Sequence, residues 1–121
     1  MYADARKKGV QAYFDGIAAK DMSRVPWAAG ATLRTPLNPA GGEGALIRGR
    51  KAILDFFNSI LPAVGSLKFL RYYTGDASWV AGQAEIGLAN GKTLYVLDAF
   101  RVEDGEIIEQ QNHYDPRPAS G

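Results

Sequence analysis

The chain contains no cysteine and a single histidine, and its charge is nearly balanced, with fourteen Lys and Arg against thirteen Asp and Glu in 121 residues. Without thiols it has no disulfide, no cysteine nucleophile and no thiolate metal site, a composition that suits a reducing compartment. His113 is left with only carboxylates such as Asp115 as co-ligands, so no metal site is expected. No run of five like charges occurs, which excludes the basic footprint that nucleic acid requires. No apolar stretch approaches the roughly eighteen residues of a membrane span. The opening Tyr2-Ala3-Asp4-Ala5-Arg6-Lys7-Lys8 lacks the apolar segment of an export signal. A cytoplasmic protein with neither a membrane nor a nucleic-acid partner is expected.

Catalytic and cofactor signatures are also missing. No G-x-S-x-G occurs, so there is no nucleophile elbow. Gly44 to Gly49 has the gap of a phosphate loop but continues Arg50-Lys51, and Gly91-Lys92-Thr93 has the right ending but carries Ile86 where the first glycine belongs. No nucleotide or other cofactor is predicted.

What the chain does have is apolar mass: 46% of its residues are hydrophobic and 11% aromatic, enough for one compact core. A single domain over residues 1–121 is expected, with a core of about residues 5–116 and a loose tail at 117–121. Val10, Tyr13, Phe14 and Ile17 fall at helical spacing and predict a helix near residues 3–19. Asp21 or Ser23 would cap a short second helix through Trp27, with Ala31 to Pro36 as a strand and Asn38 to Gly44 as a turn-rich loop. Ile53, Phe56, Phe57 and Ile60 predict another helix from Arg50 to Leu61, stopped by Pro62. After Gly65, β-branched and aromatic residues punctuated by Gly75-Asp76, Asn90-Gly91 and Asp104-Gly105 read as strands near 67–74, 78–89, 92–103 and 106–114. The pattern predicts an α+β fold, helices covering one face of an antiparallel meander.

The turns imply a register. A two-residue Asn90-Gly91 loop would pair Gln83 with Asp98 and place Gln83, Glu85, Val96, Asp98 and Phe100 on one face. Val80, Ala84, Ile86, Leu88, Tyr95, Leu97 and Ala99 would then form a second apolar face, which predicts a homodimer through the outer side of the sheet. A three-residue Glu103-Asp104-Gly105 loop would pair Asp98 with Gln110 and turn Gln110, Asn112 and Tyr114 to the Asp98 face, with His113 pointing away. A two-residue loop would instead bring Gln111 and His113 there.

Asp98, flanked by Val96 and Phe100 on the most apolar strand, is either a core residue satisfied by Gln83 and Gln110 or a functional acid. In both cases an apolar site should hold its proton beyond the ordinary aspartate range. Glu85 is either a base or a solvated rim residue. Tyr13, on the apolar stripe, is either a core residue with a wet hydroxyl or a hydrogen-bond donor.

The first helix ending near Asp21, the strand Ala31-Thr32-Leu33-Arg34-Thr35-Pro36, the segment Ile47-Arg48-Gly49-Arg50-Lys51-Ala52-Ile53, the run Asp98-Ala99-Phe100-Arg101-Val102-Glu103-Asp104-Gly105 and the closing Tyr114-Asp115-Pro116 together resemble the nuclear transport factor 2-like superfamily, in particular its SnoaL-like branch. That resemblance implies a cystatin-like cone of curved antiparallel sheet wrapped around N-terminal helices, with a central pocket and dimerisation through the outer sheet face. Set against ketosteroid isomerases, Tyr13 and Asp98 fall on the two oxyanion donors, while Thr35 replaces the proton-shuttling aspartate. Set against limonene-epoxide hydrolases, Glu85 matches one carboxylate, Gln83 replaces the bridging arginine and Asn112 replaces the second carboxylate. Scytalone dehydratases need paired histidines, which this chain lacks.

The resemblance implies a cofactor-free acid–base enzyme of isomerase, cyclase, hydratase or epoxide-hydrolase type acting on a mostly apolar carbonyl or epoxide compound. Tyr13, Asp98 and Glu85 would be catalytic, and Thr35, Gln83, Phe100, Gln110 and Asn112 would line the pocket. The alternative is a non-enzymatic ligand-binding or dimeric assembly protein of the same fold.

Overall fold

The computed structural model describes residues 2–37 and 44–120. Helix α1 (Tyr2–Ala19) buries the expected stripe of Val10, Tyr13, Phe14 and Ile17. It ends in a left-handed Lys20 (φ 57°), with the Asp21 N–H donating back to the Gly16 carbonyl at 2.9 Å. The short helix expected after Asp21 does not form. The Asp21 carboxylate instead accepts from the backbone N–H and the hydroxyl of Ser23, a local turn that competes with helix, and the chain is already extended at Trp27.

Strand β1 (Trp27–Thr35) pairs antiparallel with β2 (Ala45–Arg48), a four-residue strand that the sequence pattern does not predict. Most of the expected loop at 38–44 lies outside the described residues. Helix α2 (Arg50–Ile60) follows as predicted, with Ile53, Phe56 and Phe57 buried, and a 3₁₀ turn over Leu61–Ala63 leads into the sheet. Strands β3 (Val64–Thr74), β4 (Trp79–Leu88), β5 (Thr93–Glu103) and β6 (Glu106–His113) form the meander. The full order is β2-β1-β6-β5-β4-β3, antiparallel throughout except that β1 runs parallel to β6. The sheet curves around α1 and α2, an α+β cone with the core on its concave side. Residues 117–120, expected as a loose tail, form a single helical turn, α3 (Arg117–Ser120), to which the Asn90 side-chain amide is hydrogen-bonded through the Pro118 carbonyl at 3.0 Å.

Both turn assignments need correction. The first hairpin closes with Leu88 and Lys92 opposite each other, the Gly91 N–H donating to the Leu88 carbonyl at 2.9 Å. Gly91 is left-handed (φ 86°), but Asn90 is not among the residues with positive φ, as a two-residue type I′ turn would require. The loop therefore has three residues, and the register slips by one: Gln83 faces Leu97, Glu85 faces Tyr95, and Asp98 faces Gly82. A slip of one turns every side chain of a strand to the other face. Val80, Ala84, Ile86 and Leu88 accordingly point inward beside Val96, Asp98 and Phe100, while Gln83 and Glu85 lie outside with Tyr95, Leu97 and Ala99.

The second hairpin has the two-residue loop, Asp104 (φ 52°) and Gly105 (φ 78°) both being left-handed, so Glu103 pairs with Glu106. His113 nevertheless points outward. Val102 pairs with Ile107 and Arg101 with Glu109, leaving Ile108 as an extra residue, and this bulge restores the phase. Gln110 and Asn112 thus face the core, as expected, although Asp98 lies opposite Asn112 and not Gln110.

Candidate active site

Inside the cone lies a cavity of about 200 Å³ between the concave face of β4 to β6, α1, α2 and α3. Its walls are aliphatic and aromatic: Ile17, Phe57, Ile86, Leu88, Leu94 and Val96 among others. Exposed Ser59 and Ala63 belong to its rim, with Ala119 of α3. The polar groups that reach it are Tyr13, Asp98, Asn112 and Tyr114, from α1, β5, β6 and the residue after β6.

Asp98 is 2% exposed, and among the described residues its Oδ1 has no hydrogen-bond partner. Burial pushes its pKa well above the ordinary aspartate range, offset only in part by a hydrogen bond from the His113 backbone N–H. A buried acceptor left unpaired costs about 1–3 kcal/mol, which a donor brought to the Asp98 carboxyl at the cavity wall would offset.

Tyr13 is held by aromatic edges. Phe14, Phe57 and Phe100 lie 5.0–5.4 Å from its ring centroid and Trp27 at 6.3 Å, all inclined by 61–78°. Phe100 is thus packed against Tyr13 as part of the cage and is not itself a lining residue. Burial raises the Tyr13 pKa, Asp98 and Tyr114 raise it further, and hydrogen bonds from the Gln110 and Asn112 amides act against the rise. Tyr114 is likewise raised, first by burial.

The Tyr114 hydroxyl lies 3.4 Å from that of Thr35, which is itself fully buried. Behind Tyr13, Gln110 is 0% exposed, receives the Trp27 indole N–H at 3.0 Å and donates to Asn112 Oδ1 at 2.9 Å.

Of the residues singled out from sequence, Tyr13, Asp98 and Asn112 therefore meet at the cavity, with Gln110 and Thr35 immediately behind them. Gln83 and Glu85 do not. Gln83 accepts from Arg71 and Tyr73 on the outer face at 2.8 and 2.6 Å, and Glu85 lies between Lys68 and Tyr95 in the ladder. The one-residue slip in the β4–β5 hairpin is the cause. Tyr114, which strand alternation puts on the Asp98 face without marking it as a site residue, joins Tyr13, Asp98 and Asn112 at the cavity. Trp27, which the capping pattern places in a helix, instead opens β1 and so reaches Gln110.

Among the described residues no cluster of three His, Asp or Glu could hold a metal ion, and no helix is long and apolar enough to cross a membrane.

Residues 10–110 match the SnoaL-like domain model. No curated protein matches the chain. Among solved structures it is similar to a nuclear transport factor 2-like protein of unknown function from Mesorhizobium loti, with TM-score 0.79, 16% identity and coverage of 95% of this chain and 94% of the other. It is also similar to IdmH from Streptomyces antibioticus, provisionally assigned as a polyketide cyclase, with TM-score 0.74, 15% identity and coverage of 93% and 94%. A de novo designed protein with a curved β-sheet matches comparably, with TM-score 0.78, 17% identity and coverage of 97% and 90%. At such identities the likeness is one of fold, and a fold shared with a designed protein carries no activity by itself. The family match and the cone agree, and the chain belongs to the SnoaL-like domain family, built on a nuclear transport factor 2-like fold.

Proposed function

We propose that this protein binds a compact, mostly apolar carbonyl compound and moves one proton on it without a cofactor, with Asp98 as the acid–base residue and the Tyr13 hydroxyl as donor to the carbonyl oxygen. The observation that carries this reading is the buried Asp98 carboxyl, its Oδ1 unpaired among the described residues, in the wall of an apolar cavity beside a buried tyrosine. An apolar cavity of about 150 Å³ holds benzene, so the present one suits a single ring with short substituents. The ionised Asp98 would take a proton from the carbon next to the carbonyl while Tyr13 stabilises the enolate oxygen. The protonated Asp98 would then return that proton to another carbon or to an alkoxide.

A cycle of this kind needs one carboxyl and fits a double-bond shift or an intramolecular ring closure. Hydrolysis and epoxide opening use a base on water together with a separate acid, and Glu85, the carboxylate expected to supply the second group, faces outward. The proton-moving role expected of Glu85 therefore passes to Asp98.

The test is exchange of the α-hydrogens of cyclohexanone in D₂O, followed by proton NMR. Faster exchange is expected with the native chain and with Glu85→Gln, and not with Asp98→Asn or Tyr13→Phe. A native chain no faster than Asp98→Asn would end the enzymatic reading. Saturable binding of the ketone without exchange would support the second reading, a ligand-binding module, which the neutral Thr35 and Asn112 favour.

A second copy of the chain is the partner we assign to the outer sheet face. Leu46, Tyr73, Tyr95 and Leu97, the large apolar side chains most exposed among the described residues, all project there, Tyr95 at 71%. Light scattering at micromolar concentration should give twice the chain mass, and Leu97→Lys should halve it. A native monomer would remove this assignment.

A further inference from the structure

The hydrogen bonds behind the cavity have a direction, and one residue sets it. An indole N–H can only donate, so the Gln110 oxygen must face Trp27 and its NH₂ must face the other way. The Gln110 NH₂ then donates to Asn112 Oδ1, which turns the Asn112 NH₂ away from Gln110. Asn112 lines the cavity beside Tyr13 and Asp98. With its Oδ1 taken up by Gln110, what the Asn112 side chain can offer a ligand there is its NH₂, a donor. All three relay residues are buried, with Gln110 at 0%, Trp27 at 2% and Asn112 at 7% exposure, so water does not compete to reverse them.

From this chain of contacts we infer that Trp27 is a positioning residue: through Gln110 it holds Asn112 with its NH₂ left for the cavity, a donor-only edge beside Tyr13, which selects ligands presenting an anionic or strongly accepting oxygen there and rejects ligands presenting an N–H or O–H. The inference rests on the proposed function for the identity of the cavity as a ligand site, and adds the polarity of the ligand atom that the site accepts. Trp27 can carry the role because its ring is fixed independently of the relay, stacked on Phe57 at 5.4 Å between centroids and 8° between planes. The burial of Gln110 also acquires a purpose. A leucine there would fill the core as well, but would leave the Trp27 N–H without an acceptor and Asn112 free to rotate.

The probes are 4-nitrophenol, at a pH where the free phenol is ionised, and 4-nitroaniline, which has nearly the same shape but places an NH₂ where the phenolate oxygen would be. Their dissociation constants are read from the absorbance change on binding. The native chain should favour the phenolate by about tenfold or more, the discrimination expected when a donor-only site meets a donor. Trp27→Phe keeps the aromatic stack and removes the N–H, and should lower that preference about tenfold while the circular dichroism stays native. A merely structural role would change the two affinities together and leave their ratio alone. An unchanged ratio in Trp27→Phe, or a native preference for the aniline, overturns the inference.

A second measurement needs neither ligand nor variant. Nuclear Overhauser contacts of the Asn112 NH₂ protons with the Tyr13 ring are expected, and contacts of the Gln110 NH₂ protons with the Trp27 indole proton would overturn the relay. If neither probe binds, the small-molecule reading fails, and the amide contacts still decide the direction of the relay by themselves.

Discussion

Replacing Asp98 by Asn is expected to remove function and add stability. Loss of the carboxyl takes away the group that moves the proton, and general acid–base contributions of about 10²- to 10⁴-fold set the scale of the drop in ketone exchange. Stability should move the other way, for a reason that follows from linkage. The folded chain holds the Asp98 proton more tightly than the unfolded chain, because burial penalises the carboxylate. Folding therefore takes up a proton between the two pKa values. The native chain loses up to about 1.4 kcal/mol of stability per pH unit as pH rises through the unfolded aspartate range toward the folded pKa, and the slope ends above it.

Asp98→Asn lacks that slope. The variant and the native chain should melt together most nearly at acid pH and diverge as pH rises, with the variant the more stable. Tyr13 and Tyr114, both raised above the ordinary tyrosine range, stay neutral across this window and do not obscure the result. Thermal melts of the two chains from pH 3 to pH 9 provide the check. Parallel curves would mean that Asp98 is not buried as described. The same titration sets the sign for catalysis: exchange should increase with pH through the raised Asp98 pKa, since the ionised form is the base.

Gly82→Val is expected to give the largest loss of stability. Gly82 sits on the concave face of β4 directly across from Asp98, and a Cβ placed there would lie 2.4 Å from Phe14 Cε2 and 3.3 Å from Phe69. Phe14 cannot retreat freely, because its ring is in edge contact with Tyr13 at 5.0 Å and Phe100 at 6.1 Å, and is tilted on Phe69 at 5.2 Å. Overpacking of this kind costs about 1–3 kcal/mol or more, roughly 5–10 °C of melting temperature for a chain of this size. The displaced ring would also push on Tyr13, so ligand affinity should fall even in molecules that remain folded. Gly82→Ala is the milder version and should lie between the two. A melting temperature for Gly82→Val within a degree of the native value would show that Phe14 has room that its neighbours do not leave.

These two positions also show what the amino-acid order makes legible. The aromatic stripe of α1 and the apolar spacing of α2 could be read directly, because helical periodicity depends on side chains within one segment. Asp98 could be identified as a buried carboxyl from its flanking residues alone. The pairing of strands was less accessible, since it depends on whether Asn90 adopts a positive φ and on whether β6 carries an extra residue. Neither is dictated by residue type: Asn-Gly tolerates both loop lengths, and Ile108 looks like any other strand isoleucine. Glu85 was placed at the site by the first ambiguity, and Asn112 reached the site despite an incorrect reading of the second turn. Trp27 illustrates a different difficulty, a relay assembled from β1 and β6, which are adjacent in space but more than eighty residues apart in sequence.

The extra residue in β6 carries a consequence of its own. Ile108 stores a shift of half a pleat between the Asp104-Gly105 turn and the cavity. If the bulge were drawn straight with no residue lost, the strand beyond it would rotate, and Gln110 and Asn112 would give up the interior to Glu109, Gln111 and His113. The same eight residues thus encode two interiors, one of neutral amides and one with a carboxylate and an imidazole, separated by a kink in the backbone and not by any change of side chain. Deleting Ile108 would erase the kink and keep the present interior, because every pairing from Glu109 onward already has the phase of a regular ladder. In lineages built on this strand, a change in the catalytic alphabet would require only a change in where the backbone keeps its spare residue.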